Sequence, residues 1–369
     1  MSNSSFTEHT TNHWTGRACL AVSLALLAGV SACGDLDETD ADLPSVDALA
    51  SWDSSHLVAL RTYHKDPVIV DLQSGKQTGT LSSGKYYDDI AVIGGGEFIC
   101  LQNQSLDFFR SDGTLDTARS IAASQFTRMT MSADRSTLAY AMAVDPTRSS
   151  VGILDLPSGA PRSPVPDVSF NLPSSLSISR DGNLVAFAQG DVGVAMTHAP
   201  GTTSTCVLAY DQRHPGGPLA TAFSPVDDKL AVSKDDGGMN IFDLSQFPDC
   251  TLVSSFVSPE DNPPRIARVD YSPDASILAI SVEQSVSSQT GVISAATGAI
   301  RLLDASTGAI VKELSVYQWE ATADPSNVSP SITDLQWSET GDRLTVSTAN
   351  GPIQQWDVAA GTRLWSASF

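Results

Sequence analysis

Hydrophobic and polar positions alternate along most of this chain in short runs broken by Gly, Asn, Asp and Ser. The last stretch, Ser331 to Phe369, shows the pattern most plainly. Ile332 to Trp337 alternates, Glu339-Thr340-Gly341-Asp342 turns, and Leu344 to Ser347 forms a β-type run. Asn350-Gly351 turns again, Ile353 to Val358 makes a third run, Ala360-Gly361 turns, and Arg363 to Phe369 makes a fourth. Period-2 runs bounded by turn residues predict four strands of an antiparallel meander.

The same unit recurs upstream. A turn followed by a Leu-Ala-Val type run marks a second strand, anchored at Leu57, Phe98, Leu138, Leu184, Leu230, Leu278 and Leu344. An apolar pair ending in Asp marks a third strand, as in Val70-Asp71, Leu154-Asp155, Phe242-Asp243, Leu303-Asp304 and Trp356-Asp357. Most of these are followed by Ser/Thr/Ala-Gly, so the aspartates read as turn formers rather than catalysts. In the fourth unit the third-strand signal is placed at Tyr210-Asp211, and in the second unit Phe108-Phe109 with Asp112-Gly113 is degenerate. The predicted fold is all-β, a seven-bladed β-propeller of four-stranded antiparallel blades, because a unit of about 40–48 residues with four short strands is one blade.

The motifs Phe223-Ser224-Pro225, Tyr271-Ser272-Pro273-Asp274, Ser179-Arg180-Asp181-Gly182 and Trp356-Asp357 resemble those of WD40-like propellers, over roughly Pro44 to Phe369. The Gly-His pair that the family places before the first strand is missing, and with it the hydrogen-bond network those histidines anchor. The resemblance is to a divergent, bacterial-type propeller. The last unit holds its own fourth strand, and a first strand is predicted near Val46 to Trp52. The ring then closes by packing of the first blade on the last, or else Ser45 to Leu49 joins the last blade as an outer strand.

The amino terminus follows a different pattern. Arg17 precedes an apolar run from Ala18 to Val30, which is too short to span a bilayer but suits a signal-peptide core. It ends Val30-Ser31-Ala32-Cys33, which resembles the bacterial lipobox. The resemblance implies diacylglyceryl transfer to Cys33, cleavage between Ala32 and Cys33, and acylation of the new amino terminus, giving a membrane anchor. The alternative is an ordinary secretory signal with Cys33 incidental. The predicted organisation is a lipoprotein signal peptide over residues 1–32, an acidic flexible tether over 33–44 and the propeller over 45–369, in the cell envelope, with neither inner nor outer membrane singled out.

Composition narrows the partners. Lys+Arg is 21 against Asp+Glu 42, a formal net charge of −21. Such a chain repels phosphates and anionic headgroups, which argues against nucleic acid and leaves the lipid anchor as its contact with the membrane. No cofactor is expected beyond the lipid on Cys33; the acidic tether fits no EF-hand spacing, so calcium is not favoured. Beyond the export segment three cysteines remain. An exported chain meets oxidising conditions, so Cys206 and Cys250 can bridge, while Cys100, in an apolar run, reads as core.

No nucleophile elbow, zinc-binding helix motif or metal-spaced cluster is present. In a meander, alternate connections share a face. The predicted insertions Ala143–Ser150, Gly190–Thr205, Glu283–Gly298, Ser258–Arg265 and Val316–Pro330 therefore fall on the face of the second-to-third and blade-to-blade links. Long loops on a rigid scaffold are where binding usually lives. Tyr317, Trp319 and Glu320, with Asp261 and Arg265, are the candidate binding-face residues; the alternative is that Tyr317 and Trp319 finish a fourth strand, and Asp261 to Arg265 a rigid turn. The predicted function is a binding or scaffolding module for a protein, peptide or glycan. The alternative is a propeller hydrolase or lactonase with a metal on the channel axis, which acids converging there would favour.

Overall fold

The computed structural model describes residues 46–368 except 52, 62–65, 82, 103, 123–124, 146–147, 157, 163–173, 190–192, 199–204, 208–217, 235–236, 259–263, 288–292 and 322–329. Cys33, Ala32 and Asp261 lie outside the described residues.

The described chain is built of strands, with one 3-10 turn at Gly94–Gly96. Its 28 strands pair, in chain order, into seven four-stranded antiparallel sheets, the blades of a β-propeller. The innermost or a strands are β1 (Val46–Ser51), β5 (Asp89–Val92), β9 (Phe126–Met131), β13 (Ser175–Ile178), β17 (Pro218–Phe223), β21 (Val269–Tyr271) and β25 (Ser331–Trp337). The b strands are β2 (His56–Arg61), β6 (Phe98–Gln102), β10 (Thr137–Asp145), β14 (Leu184–Gln189), β18 (Lys229–Lys234), β22 (Ile277–Ser287) and β26 (Arg343–Ala349). All seven Leu/Phe anchors lie in these b strands, and six of them are completely buried, with Leu184 nearly so. The b strand has neighbours on both edges of its sheet and a packed blade on each face, so its apolar run is nearly continuous.

The c and d strands complete each blade. The c strands are β3 (Val68–Asp71), β7 (Ser105–Phe109), β11 (Arg148–Asp155), β15 (Gly193–His198), β19 (Met239–Asp243), β23 (Ile293–Asp304) and β27 (Ile353–Asp357). The d strands are β4 (Gln77–Thr80), β8 (Ile121–Ala122), β12 (Ala160–Arg162), β16 (Thr205–Val207), β20 (Thr251–Phe256), β24 (Ile310–Glu320) and β28 (Thr362–Ala367). The core is a series of apolar clusters, most of them sandwiched between consecutive blades. One joins blades 1 and 2 through Val58, Leu60, Phe98 and Phe109; another joins blades 6 and 7 through Ile300, Leu302, Trp337 and Trp356. Cys100 is a fully buried member of the first.

The turns repeat as the sequence implies. After the c strands of blades 1, 3, 6 and 7, Gly75, Gly159, Gly308 and Gly361 donate their N–H to the carbonyls of Asp71, Asp155, Asp304 and Asp357, each at 2.8 Å. These four glycines have φ of 67–71°, the left-handed region where glycine costs least. The Asp304 carboxylate accepts the N–H groups of Ser306 and Thr307, and hydrogen bonds from these neighbours hold its pKa at about 2.

Three expectations need correction. The interval Ala143–Ser150, read as an insertion, is the end of β10 and the start of β11, with Ala143 opposite Ser149. The c strand of blade 4 is Gly193–His198, seventeen residues before Tyr210, so Tyr210-Asp211 is not that strand and lies outside the described residues. The step from c to d in blade 4 therefore falls within the interval read as an insertion between b and c. The third correction concerns blade 6, described below. The ring closes by packing of blade 1 on blade 7: β1 pairs with β2 and takes no part in the last sheet. Across the seam, Asp334 accepts the Leu49 N–H at 2.8 Å, Trp365 Nε1 donates to the Leu72 carbonyl at 2.8 Å, and Ile353 packs with Val46, Leu49 and Leu57.

Candidate functional site

Blade 6 departs most from the short-stranded plan. Its b, c and d strands are 11, 12 and 11 residues long, against 6, 5 and 6 in blade 5. The described part of the expected insertion Glu283–Gly298 is strand, not loop: Glu283 to Ser287 prolong β22, Ile293 to Gly298 begin β23, and the two pair with a bulge between Val286 and Ser287. Nor do Tyr317, Trp319 and Glu320 sit on a loop. They are the end of β24, opposite Gly298, Ala296 and Ala295. Alternation explains this: past a bulge at Val316, Tyr317 to Glu320 keeps period 2 and pairs as soon as β23 is long enough to receive it. The result is a three-stranded ribbon continuing out of the blade.

One face of the ribbon carries Glu283, Gly298 and Tyr317 side by side. Gly298 is required by contact: a Cβ there would lie 2.2 Å from the Tyr317 ring. The ring crosses the glycine, and its hydroxyl donates to Glu283 Oε1 at 3.3 Å. The same oxygen accepts the Ile332 N–H of blade 7. Burial raises the pKa of Glu283, opposed by Ile332, Tyr317 and the guanidinium groups of Arg268 and Arg265. Arg265, exposed, joins the ribbon through its backbone: its N–H donates to the Glu283 carbonyl at 3.0 Å, and its carbonyl oxygen accepts the Glu283 N–H at 3.1 Å. The structure therefore brings Arg265 and Tyr317 together through Glu283, which the sequence reading had not singled out. Two apolar side chains of the ribbon are open to solvent, Val286 at 61 % and Ile293 at 40 % exposure. Blade 3 repeats the device on a smaller scale, where the Tyr140 ring crosses Gly152 between β10 and β11.

A second feature lies on the propeller axis. The a strands of all seven blades surround a cavity of about 550 Å³. Asp89, Asp270 and Asp334 line it. Burial and the nearby Asp334 push Asp270 up to about 8, and burial raises Asp334 to about 6 against the N–H of Leu49 and the charge of Arg268. Asp89 accepts the Met129 N–H at 3.1 Å, as Asp334 accepts that of Leu49; each carboxylate fastens its a strand to that of the following blade. Among the described residues no group of three or more His, Cys, Asp or Glu side chains is placed to hold a metal ion. The one sequence signal for these acids is a charge on an inner strand, and it gains meaning only when blades distant in sequence meet.

The disulfide Cys206–Cys250 joins β16 of blade 4 to the c–d link of blade 5, with Cα atoms 6.3 Å apart. Cys206 packs there against Phe223, Leu230 and Phe242.

No protein-family model and no curated protein matches this chain, so its placement rests on the geometry above: an all-strand propeller of antiparallel four-stranded blades, consistent with a WD40-like propeller.

Proposed function

We propose that this chain is an exported, lipid-anchored, seven-bladed propeller that binds a protein, peptide or glycan through the face of its b–c and d–a links. The blade 6 ribbon carries the reading. It extends two β-ladders beyond the blade, is stiffened by the Tyr317–Gly298 crossing, and leaves Val286 and Ile293 open to solvent. Ordered backbone with unpaired apolar side chains is the economy of a recognition surface, because little entropy is lost when a partner covers it. Export is supported by the order of Arg17, the apolar run and Ala32-Cys33, and by a Cys206–Cys250 bridge of the kind oxidising compartments sustain.

The test is capture of a partner from detergent-solubilised envelope by the parent protein and by Val286→Glu/Ile293→Lys, which changes exposed positions alone. A partner retained by the parent and lost by the variant is the expected result. Equal capture by both, or none by either, overturns the reading. Anchoring has its own test: Cys33→Ser should abolish labelling by a fatty acid and release the protein from the membrane fraction. The hydrolase alternative needs metal ligands converging on the axis, and Asp89, Asp270 and Asp334 form no such group.

A further inference from the structure

The a–b turns of blades 3, 4, 6 and 7 share one geometry. They read Ser132-Ala133-Asp134-Arg135, Ser179-Arg180-Asp181-Gly182, Ser272-Pro273-Asp274-Ala275 and Ser338-Glu339-Thr340-Gly341. In each, the N–H of the fourth residue donates to the carbonyl of the serine, at 2.8, 2.9, 2.8 and 3.0 Å. In each, that fourth residue has positive φ: 58° at Arg135, 70° at Gly182, 56° at Ala275 and 72° at Gly341. The left-handed region is free to glycine and costly to a residue with a Cβ. Blade 3 places a full arginine there. Ala275 takes the same conformation with only a methyl group, so what sets blade 3 apart is where its side chain goes.

That side chain reaches across the ring. Arg135 Nη2 lies 3.5 Å from Glu339 Oε1, in the matching turn of blade 7. Blades 3 and 7 are not neighbours: blades 1 and 2 separate them on one side and blades 4 to 6 on the other. Both residues line the axial cavity. The ion pair therefore spans the channel mouth on the a–b and c–d face, opposite the ribbon. Both side chains remain partly exposed, at 40 % and 66 %. An exposed pair is weak and screened by salt, so this one opens readily.

We propose that Arg135 and Glu339 form an ionic latch that controls the entry of small solutes into the axial channel. The latch is independent of the partner-binding face, because it uses the other end of the channel and neither residue belongs to blade 6.

A thiol placed inside the channel reads the latch. Thr130→Cys puts one on β9, where Thr130 lines the cavity. The parent protein without it supplies the background rate; its Cys206 and Cys250 are bonded and Cys100 is buried. The probe is a small neutral methanethiosulfonate. In the Thr130→Cys background, Arg135→Gly and Glu339→Gln are each expected to raise the modification rate about two- to fivefold, the range of a weak exposed pair. Roughly 0.5 M salt, where the Debye length falls to about 4 Å, should accelerate the intact latch and leave both variants unchanged. The swapped pair Arg135→Glu/Glu339→Arg should restore the slow rate. Glycine suits the left-handed backbone at 135, so a faster rate there reports the missing guanidinium rather than a damaged fold. Equal rates in parent latch and variants, or a swapped pair that stays fast, overturn the proposal.

Discussion

On the face of the a–b and c–d turns, the chain reverses over a few residues and side chains fasten each reversal. Ser132, Ser179, Ser272 and Ser338 hydroxyls accept the N–H that starts the following b strand, and an Asp beside or within each turn closes it. On the face of the b–c and d–a links, the strands of blades 3 and 6 overshoot and are held by pairing and by an aromatic ring over glycine. Apart from the Arg135–Glu339 pair that spans it, the turn face rests on local polar contacts that any blade can make alone. The other uses contacts between strands whose lengths must match. The first is therefore written as a repeat, and the second is individual to its blade, which is where specificity can reside.

The comparison can be broken in four ways, from the largest expected effect to the smallest. Removing the disulfide, as Cys206→Ser/Cys250→Ser or with reductant, frees a loop of sequence separation 44. Denaturant titration should show a loss of about 4 kcal/mol. A loss under about 1 kcal/mol would mean that blade packing alone fixes the blade 4–blade 5 junction.

Next comes Gly298→Ala. Its Cβ meets the Tyr317 ring at 2.2 Å, so the ring must swing out, at about 1–3 kcal/mol. Amide exchange over 283–287 and 317–320 should accelerate while the Ser-Asp turns stay protected. Gly152→Ala, at 2.1 Å from Tyr140, should do the same in blade 3 and leave partner capture intact. Equal loss of capture in both variants would mean that the ribbon has no special role.

The third acts between the faces. Asp270 has a folded pKa of about 8, above its usual 3.8, so its ionised form opposes folding. The sign follows: the folded state holds this proton more tightly than the unfolded state. Stability is full below about pH 4 and is lost as pH rises through 8. Asp270→Asn should match the parent near pH 4 and exceed it at pH 9 by about 2 kcal/mol, a discounted figure because the residue is half-buried and lines the cavity. A constant difference across that range would refute the assignment.

The smallest effect lies on the turn face. Asp53 and Asp304 titrate at about 2, below their usual 3.8. At Asp53, burial acts upward but hydrogen bonds from Ser55 and His56 outweigh it; at Asp304 the bonds from Ser306 and Thr307 dominate. Their support is present above about pH 4 and lost as pH falls towards 2. Asp304→Asn should flatten the acid limb of the melting-temperature profile slightly, without touching partner capture.

What the sequence made legible divides along the same line. The Leu-Ala-Val anchors and the Asp-x-x-x-Gly turns are local, so period and turn chemistry sufficed to locate every b strand and most c strands. In blade 4 the c strand Gly193–His198 carries no terminal Asp, and a template built on that signal slid past it to Tyr210-Asp211. In blade 6 an insertion between strands was read as a loop. Length alone does not distinguish a loop from two strands that lengthen together. The discriminating sign was Gly298 forty-six residues before Leu344, a glycine opposite an aromatic, and it has no meaning until register is known. Glu283, Asp270, Asp334 and the Arg135–Glu339 pair were beyond reach for a related reason. Each acts on a residue of another blade, and sequence spacing carries no information about which blades meet across an axis.

The seam between blades 1 and 7 has a consequence for how this chain can be rewired. No strand is shared between the first and last sheets; the junction is held by Asp334 with Leu49, Trp365 with Leu72 and the packing around Ile353. Every blade is thus a complete hairpin pair in sequence, and the covalent order of the blades is arbitrary with respect to the ring. A circular permutant that joins Phe369 to Val46 by a short linker and opens the chain within 322–329 moves the gene's start without cutting any sheet. It should regain the same seven sheets, with a melting temperature set by the new linker rather than by any lost strand pairing.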